Sequence, residues 1–120
     1  MTEEAPSDAA LQARFRPRIL AELGELDSAR EDSAADRRPV ELDQQSVGRL
    51  SRMDALQGQA MAAAVEARRQ RRQSALRAAL RRLDEGKFGW CARCGGFIGQ
   101  ARLDTDPAAV ICVGCSRPGQ

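Results

Sequence analysis

Four cysteines are the residues of this chain whose type and spacing point to chemistry. Cys91 and Cys94 are two residues apart, Cys112 and Cys115 likewise, and 17 residues separate the two pairs. A two-residue spacing lets a tight knuckle aim both sulfurs at one ion, and two knuckles complete a tetrahedral thiolate set that suits Zn2+. Gly95 and Gly96 follow the first knuckle and Gly114 lies inside the second, where a tightly turning backbone needs residues without a side chain. The chain has no histidine and no fifth cysteine, so protein fills all four positions. A closed site presents no activated water. The expected cofactor is therefore one structural Zn2+, whose binding energy holds a segment too small to fold alone. An iron site or a dithiol redox switch would draw on the same four thiols.

The elements that must carry this site read as helices. Aromatic residues are 3% of the chain and much of its apolar content is alanine, a strong helix former that adds little core volume. Leu11, Phe15, Ile19 or Leu20, Leu23 and Leu26 recur at helical spacing from about residue 9. Pro17 falls inside this run, where it either kinks the helix or marks the first turn of a helix that starts there. The pattern fades over 27–36 and breaks at Arg37, Arg38 and Pro39.

A second helix is predicted over about 41–85. Its apolar stripe is Leu42, Val47, Leu50, Met53, Leu56 or Gln57, Ala60, Met61, Ala64 and Val65, with Met53 and Met61 in the seam. The stripe lapses over 66–73 and returns as Leu76, Ala79, Leu80 and Leu83, and Gly86 is the expected cap. A short connection makes the two helices antiparallel. The second helix is the longer one, so its lower part is expected to run past its partner and pack on the finger. The fold class is mainly α: a long antiparallel helical hairpin, or coiled coil, with a small C-terminal four-cysteine zinc finger. Residues 1–8 form a tail, 9–86 the hairpin with its tip near 34–45, 87–117 the finger, and 118–120 a second tail.

The net charge of +2 conceals an asymmetry. Residues 1–45 hold 11 acids and 6 bases, whereas residues 46–90 hold 4 acids and 10 bases. The two arms attract each other, or the split guides docking on a charged partner. No apolar run is long enough to span a bilayer. Residues 1–9 are acidic without an apolar stretch, unlike a secretory signal. A cytoplasmic location follows as the expectation, with the cysteines as metal ligands instead of disulfides. No nucleophile–base pair or phosphate-binding glycine loop is visible, so the chain is not expected to be an enzyme. Trp90, beside Cys91, is expected to cover the finger. The chain is expected to be a monomer or a weak dimer, because an alanine-rich stripe can pair two chains.

The finger resembles the C4 zinc finger of the DksA/TraR family of bacterial transcription factors. The resemblance rests on Phe88-Gly89 before Cys91, Cys94-Gly95 with Ile98, Arg102-Leu103, Pro107, and Cys112 and Cys115 at this spacing. It covers residues 88–115, and the hairpin agrees in architecture. It implies a regulator that binds bacterial RNA polymerase through the secondary channel with its coiled-coil tip, without reading a DNA sequence. On that reading the tip acids Asp36, Glu41 and Asp43 are the partner-binding residues, acting on polymerase through its Mg2+ or basic side chains. Asp43 is the nearest match to the family's tip acids.

Two other functions stay open on the residues alone. Arg68, Arg69, Arg71, Arg72, Arg77, Arg81 and Arg82 form a basic segment. With it the chain is a zinc-finger adaptor or a non-specific nucleic-acid binder, weak and salt-sensitive because no aromatic residues interleave for base stacking. In a thiol redox or zinc sensor, cysteine oxidation would release the metal.

Overall fold

The structure is a computed structural model that describes residues 4–34 and 49–117, apart from the side chains of Arg49 and Leu50. Four helices run through these residues: α1 (Asp8–Asp32), α2 (Arg49–Asp84), α3 (Gln100–Thr105) and α4 (Val113–Ser116). The mainly helical fold with a cysteine cluster near its C-terminal end is as the sequence predicts. None of the described helices is long and apolar enough to cross a membrane. The chain divides into two compact units. Met1–Leu23 with Ser74–Gln120 forms the finger unit, and Gly24–Gln73 forms the polar unit.

In the finger unit α1 begins at a side-chain cap. The Ser7 hydroxyl accepts from the backbone N–H of Ala10 at 3.2 Å, satisfying one of the donors that a helix start leaves open. The helix then passes through Pro17 without ending. The proline removes the bond to the carbonyl of Ala13, and both residues are exposed, so water can take the place of the lost donor. The alternative start at Pro17 is therefore not used. Leu11, Phe15, Ile19 and Leu23 turn one face inward and are buried, and Leu76, Ala79 and Leu83 of α2 are buried in the same unit. The α1–α2 pair is antiparallel here: the side-chain amide of Gln12 donates to the carbonyl of Leu83 at 2.9 Å, and Arg16 pairs with Asp84. Thus α1 reaches the end of α2, and α2 does not run past it at this end.

Helix α2 stops at Gly86, as expected. Its φ of +70° is a conformation that other residues enter at a cost. It lets Lys87 donate to the carbonyl of Arg82 at 2.8 Å and Gly86 to that of Leu83 at 3.3 Å, the paired bonds that close a helix C-terminus. The turn delivers Phe88 against Phe15, ring centroids 5.2 Å apart. Arg14 then ties α1 to α3 by two parallel bonds to Asp104, at 2.8 and 2.7 Å.

The polar unit is built differently. Its α1–α2 pair is also antiparallel, with Gln73 donating to Asp27 at 2.6 Å, Arg69 to the Ser33 hydroxyl at 2.7 Å, and Arg30 pairing with Glu66 at 2.7 Å. Residues of α2 that lose solvent include 52, 55, 59, 62, 66, 69 and 73, which alternate steps of three and four as a coiled-coil seam does, with 65, 67 and 72 half-buried at its flanks. The seam residues are Arg52, Ala55, Gln59, Ala62, Glu66, Arg69 and Gln73. This overturns the predicted stripe over 53–64, while its later part at Leu76, Ala79 and Leu83 is buried as predicted. Met53, Leu56 and Met61 are 50, 49 and 70% exposed, Ala60 and Ala64 are exposed, and Val65 is half-buried. The apolar series lies one residue out of step with the seam, and one residue turns a helical side chain by about 100°. Leu42, Val47 and the side chain of Leu50 lie outside the described residues.

Three outcomes follow from this packing. Phe15→Ala, at a position with no exposure, is expected to destabilise the chain by about 3–5 kcal/mol, whereas Met61→Gln should stay within about 0.5 kcal/mol of the parent; urea unfolding measures both. The Arg14 guanidinium holds the Asp104 carboxyl below the ordinary carboxylate value. A carboxyl depressed on folding adds stability above its unfolded value, about 3.9, and that stability is lost as pH falls through the folded value. Asp104→Asn should therefore lower the melting temperature at pH 7, and the gap from the parent should close in acid.

Candidate metal centre

The centre is assembled by two short turns and the segment between them. Cys91 leaves the α2 cap after Gly89, whose φ is +91°. A Cβ there would stand 3.0 Å from the ring of Phe97, so glycine is required by both backbone and space. The turn closes as Cys91 donates to the carbonyl of Gly96 at 2.8 Å and Ile98 to that of Gly89 at 2.7 Å. Between the knuckles, α3 buries Leu103 completely, and Pro107 and Ala108 are buried after it. Arg102 reaches back to the carbonyl of Ile111 at 2.8 Å, which sets the chain just before the second knuckle. Ala92 donates to the carbonyl of Val110 at 2.8 Å and joins the two halves. Cys112 then caps α4, its sulfur accepting from the N–H of Cys115 at 3.4 Å.

The result brings Cys91, Cys94, Cys112 and Cys115 together with all four Sγ atoms within 4.8 Å of one another. The Sγ atoms of Cys94 and Cys112 are 3.8 Å apart. A tetrahedron with Zn–S bonds of about 2.3 Å has edges of about 3.8 Å, so the sulfur spacing fits Zn2+. Cys91 is buried, Cys112 and Cys115 are half-buried and Cys94 is exposed.

The electrostatics favour a thiolate at Cys91 and oppose one at Cys115. Backbone N–H groups of Cys94 and Cys112 draw the Cys91 thiol down to about 6. Cys115, which shares hydrogen bonds with Cys112, Cys91 and Cys94, is pushed up to about 12. The two shifts have different causes: the first proton leaves Cys91, where N–H groups converge, and the last stays on Cys115, where the other sulfurs surround it. A divalent cation resolves this by taking all four as thiolates. With four protein donors the arrangement holds a metal and leaves no position for substrate.

The structure thus unites the four predicted cysteines. It places Trp90 differently from the expectation: the ring is 41% exposed and meets Phe97 edge-on at 5.8 Å, while Phe88, Ile98 and Leu103 form the buried support. Asp36, Glu41 and Asp43 lie outside the described residues. Sequence patterning does not single out Arg93, which donates to the carbonyl of Cys115 at 3.2 Å and links the knuckles. An arginine between two ligands is the available signal. Arg102 enters the sequence reading through resemblance alone, and its carbonyl contact is the physical reason for it.

Comparison with known proteins agrees with this geometry. Residues 86–118 match the family model described as the prokaryotic dksA/traR C4-type zinc finger. No curated protein matches the chain. Among solved structures, the transcription factor DksA2 from Pseudomonas aeruginosa is similar, with a TM-score of 0.74 and 24% identity, over 88% of this chain and 80% of that one. At that identity the likeness is one of fold. Residues 86–118 are a zinc finger of the DksA/TraR type that carries one structural zinc, set on a fold shared with DksA2.

Proposed function

We propose that this chain is a DksA-like transcription regulator that binds bacterial RNA polymerase, reaching the secondary channel with the segment between α1 and α2. The observation that carries the reading is the DksA/TraR-type finger at residues 86–118, on a fold that matches DksA2 with a TM-score of 0.74. Cys91, Cys94, Cys112 and Cys115 hold the zinc. The metal keeps the finger folded so that Phe88 can brace Phe15 of α1. The finger takes no part in chemistry, and the protein acts by occupying a site on its partner. Asp36, Glu41 and Asp43 are the acids assigned to the contact, with Asp43 foremost, through polymerase Mg2+ or basic side chains.

A second reading has one specific observation behind it. Arg68, Arg71, Arg77 and Arg81 are exposed and make no ion pair among the described residues. A helix so charged attracts polyanions with strong salt dependence, as a nucleic-acid-binding adaptor would.

Binding to core RNA polymerase, in competition with a known secondary-channel factor, separates the two. Saturable binding displaced by the competitor, and weakened by Asp43→Asn, is expected. No binding at micromolar protein, together with DNA affinity that falls linearly with log salt, would favour the adaptor. The zinc assignment has its own test. Purified protein should contain one zinc per chain by elemental analysis. Removing it with a chelator, or replacing Cys91 by Ser, should unfold residues 86–118 and lower the stability of α1 with them, read by circular dichroism.

A further inference from the structure

The buried apolar residues are distributed unequally. Leu11, Phe15, Ile19, Leu23, Leu76, Ala79, Leu83, Phe88, Cys91, Ile98, Leu103 and Ala108 all belong to the finger unit. Among the described residues of Gly24–Gln73, the two that are buried are polar: Glu66, 5% exposed, and Gln73, 2%. Glu66 accepts from Arg30 at 2.7 Å, lies 3.7 Å from Arg69, and is met by Gln70 at 3.4 Å. Arg69 in turn donates to Ser33, and Gln73 donates to Asp27. Three of these contacts, Arg30–Glu66, Arg69–Ser33 and Gln73–Asp27, join α1 and the residue that follows it to α2.

Hydrogen bonds and ion pairs are directional but contribute little net free energy, whereas apolar burial contributes most of what holds a domain closed. A unit whose fully buried side chains, among the described residues, are polar and whose apolar ones, such as Leu26 and Val65, are only half-buried opens at lower free energy than one with an apolar core. Leaving a buried charge without its partner is, however, strongly unfavourable. Such a seam is therefore open or closed, with little between.

We propose that the Arg30–Glu66–Arg69 cluster and the Asp27–Gln73 pair form a polar latch, and that the polar unit opens and closes on it while the finger unit stays folded. The latch makes closure of α1 on α2 in this unit sensitive to the loss of any one member, and to ionic strength through Arg30, whose side chain is 47% exposed, more than through the buried Glu66. Glu66 is its centre, being the residue on which two arginines and an amide converge.

Native-state hydrogen exchange of the full zinc-loaded chain, read residue by residue by NMR, tests this. Amides of 26–32 and 62–73 should exchange at least about tenfold faster than those of 15–23 and 76–83. Raising salt should widen the difference. Glu66→Ala should speed the first set by a further tenfold or so and leave the second unchanged. An apolar layer made by Glu66→Leu with Arg30→Leu should slow the first set towards the second, which a merely destabilising role for these residues would not produce. Equal exchange in both sets would overturn the proposal. So would a Glu66→Ala chain that speeds both sets alike or unfolds as a whole.

Discussion

Four thiolates within 4.8 Å of one another repel unless a cation lies among them. That constraint governs the C-terminal part of the molecule. The two knuckles approach because their backbone N–H groups turn towards sulfur, and the segment between them folds back because Arg102 and Ala92 fasten it to Ile111 and Val110. A core of Phe88, Ile98 and Leu103 is small for a stable domain. The metal supplies what apolar burial does not, and the finger can then act as a wedge beneath the helices. Phe88 meets Phe15, Asp104 meets Arg14, and Gly86 sets the angle at which α2 hands the chain to the finger.

The same pair of helices is held by two kinds of chemistry. In the finger unit the seam is leucine, isoleucine and phenylalanine, and among the described residues of the polar unit it is mostly arginine, glutamate, glutamine and alanine, with Val65 and Leu26 half-buried beside them. Polar seams are poor sources of stability but good at specifying which face meets which, because a shifted partner strands a buried charge. The apolar residues that such a seam would ordinarily use, Met53, Leu56 and Met61, are turned outward instead.

The finger was legible from its residues because each has a narrow physical purpose. Cysteine pairs at two-residue spacing and glycines at tight turns leave few alternatives, and both the ligand cluster and the cap at Gly86 stand where the spacing puts them. Helix α1 was legible from the recurrence of Leu11, Phe15, Ile19 and Leu23. The seam of α2 was not, because hydrophobic periodicity assumes that the buried face is the apolar one. Here Glu66 and Gln73 are buried against Arg30 and Asp27, and those partners lie more than 30 residues away, where no local pattern reveals them. Pro17 left two readings open for a related reason. Its cost depends on whether water reaches the freed carbonyl, and exposure is a property of the fold and not of the local sequence.

The bonds between α1 and the end of the chain set an order of events during synthesis. Arg14 meets Asp104 across 90 residues and Gln12 meets Leu83 across 71. A ribosome releases these partners long after the helix itself, so Leu11, Phe15 and Ile19 emerge with nothing of their own to cover them. Such long-range topology folds slowly, and an early helix with a bare apolar face is the species that chaperones intercept. Cys115, the last of the four ligands to leave the ribosome, thus completes the finger and shelters a helix made about 90 residues earlier, joining metal supply to the folding of both.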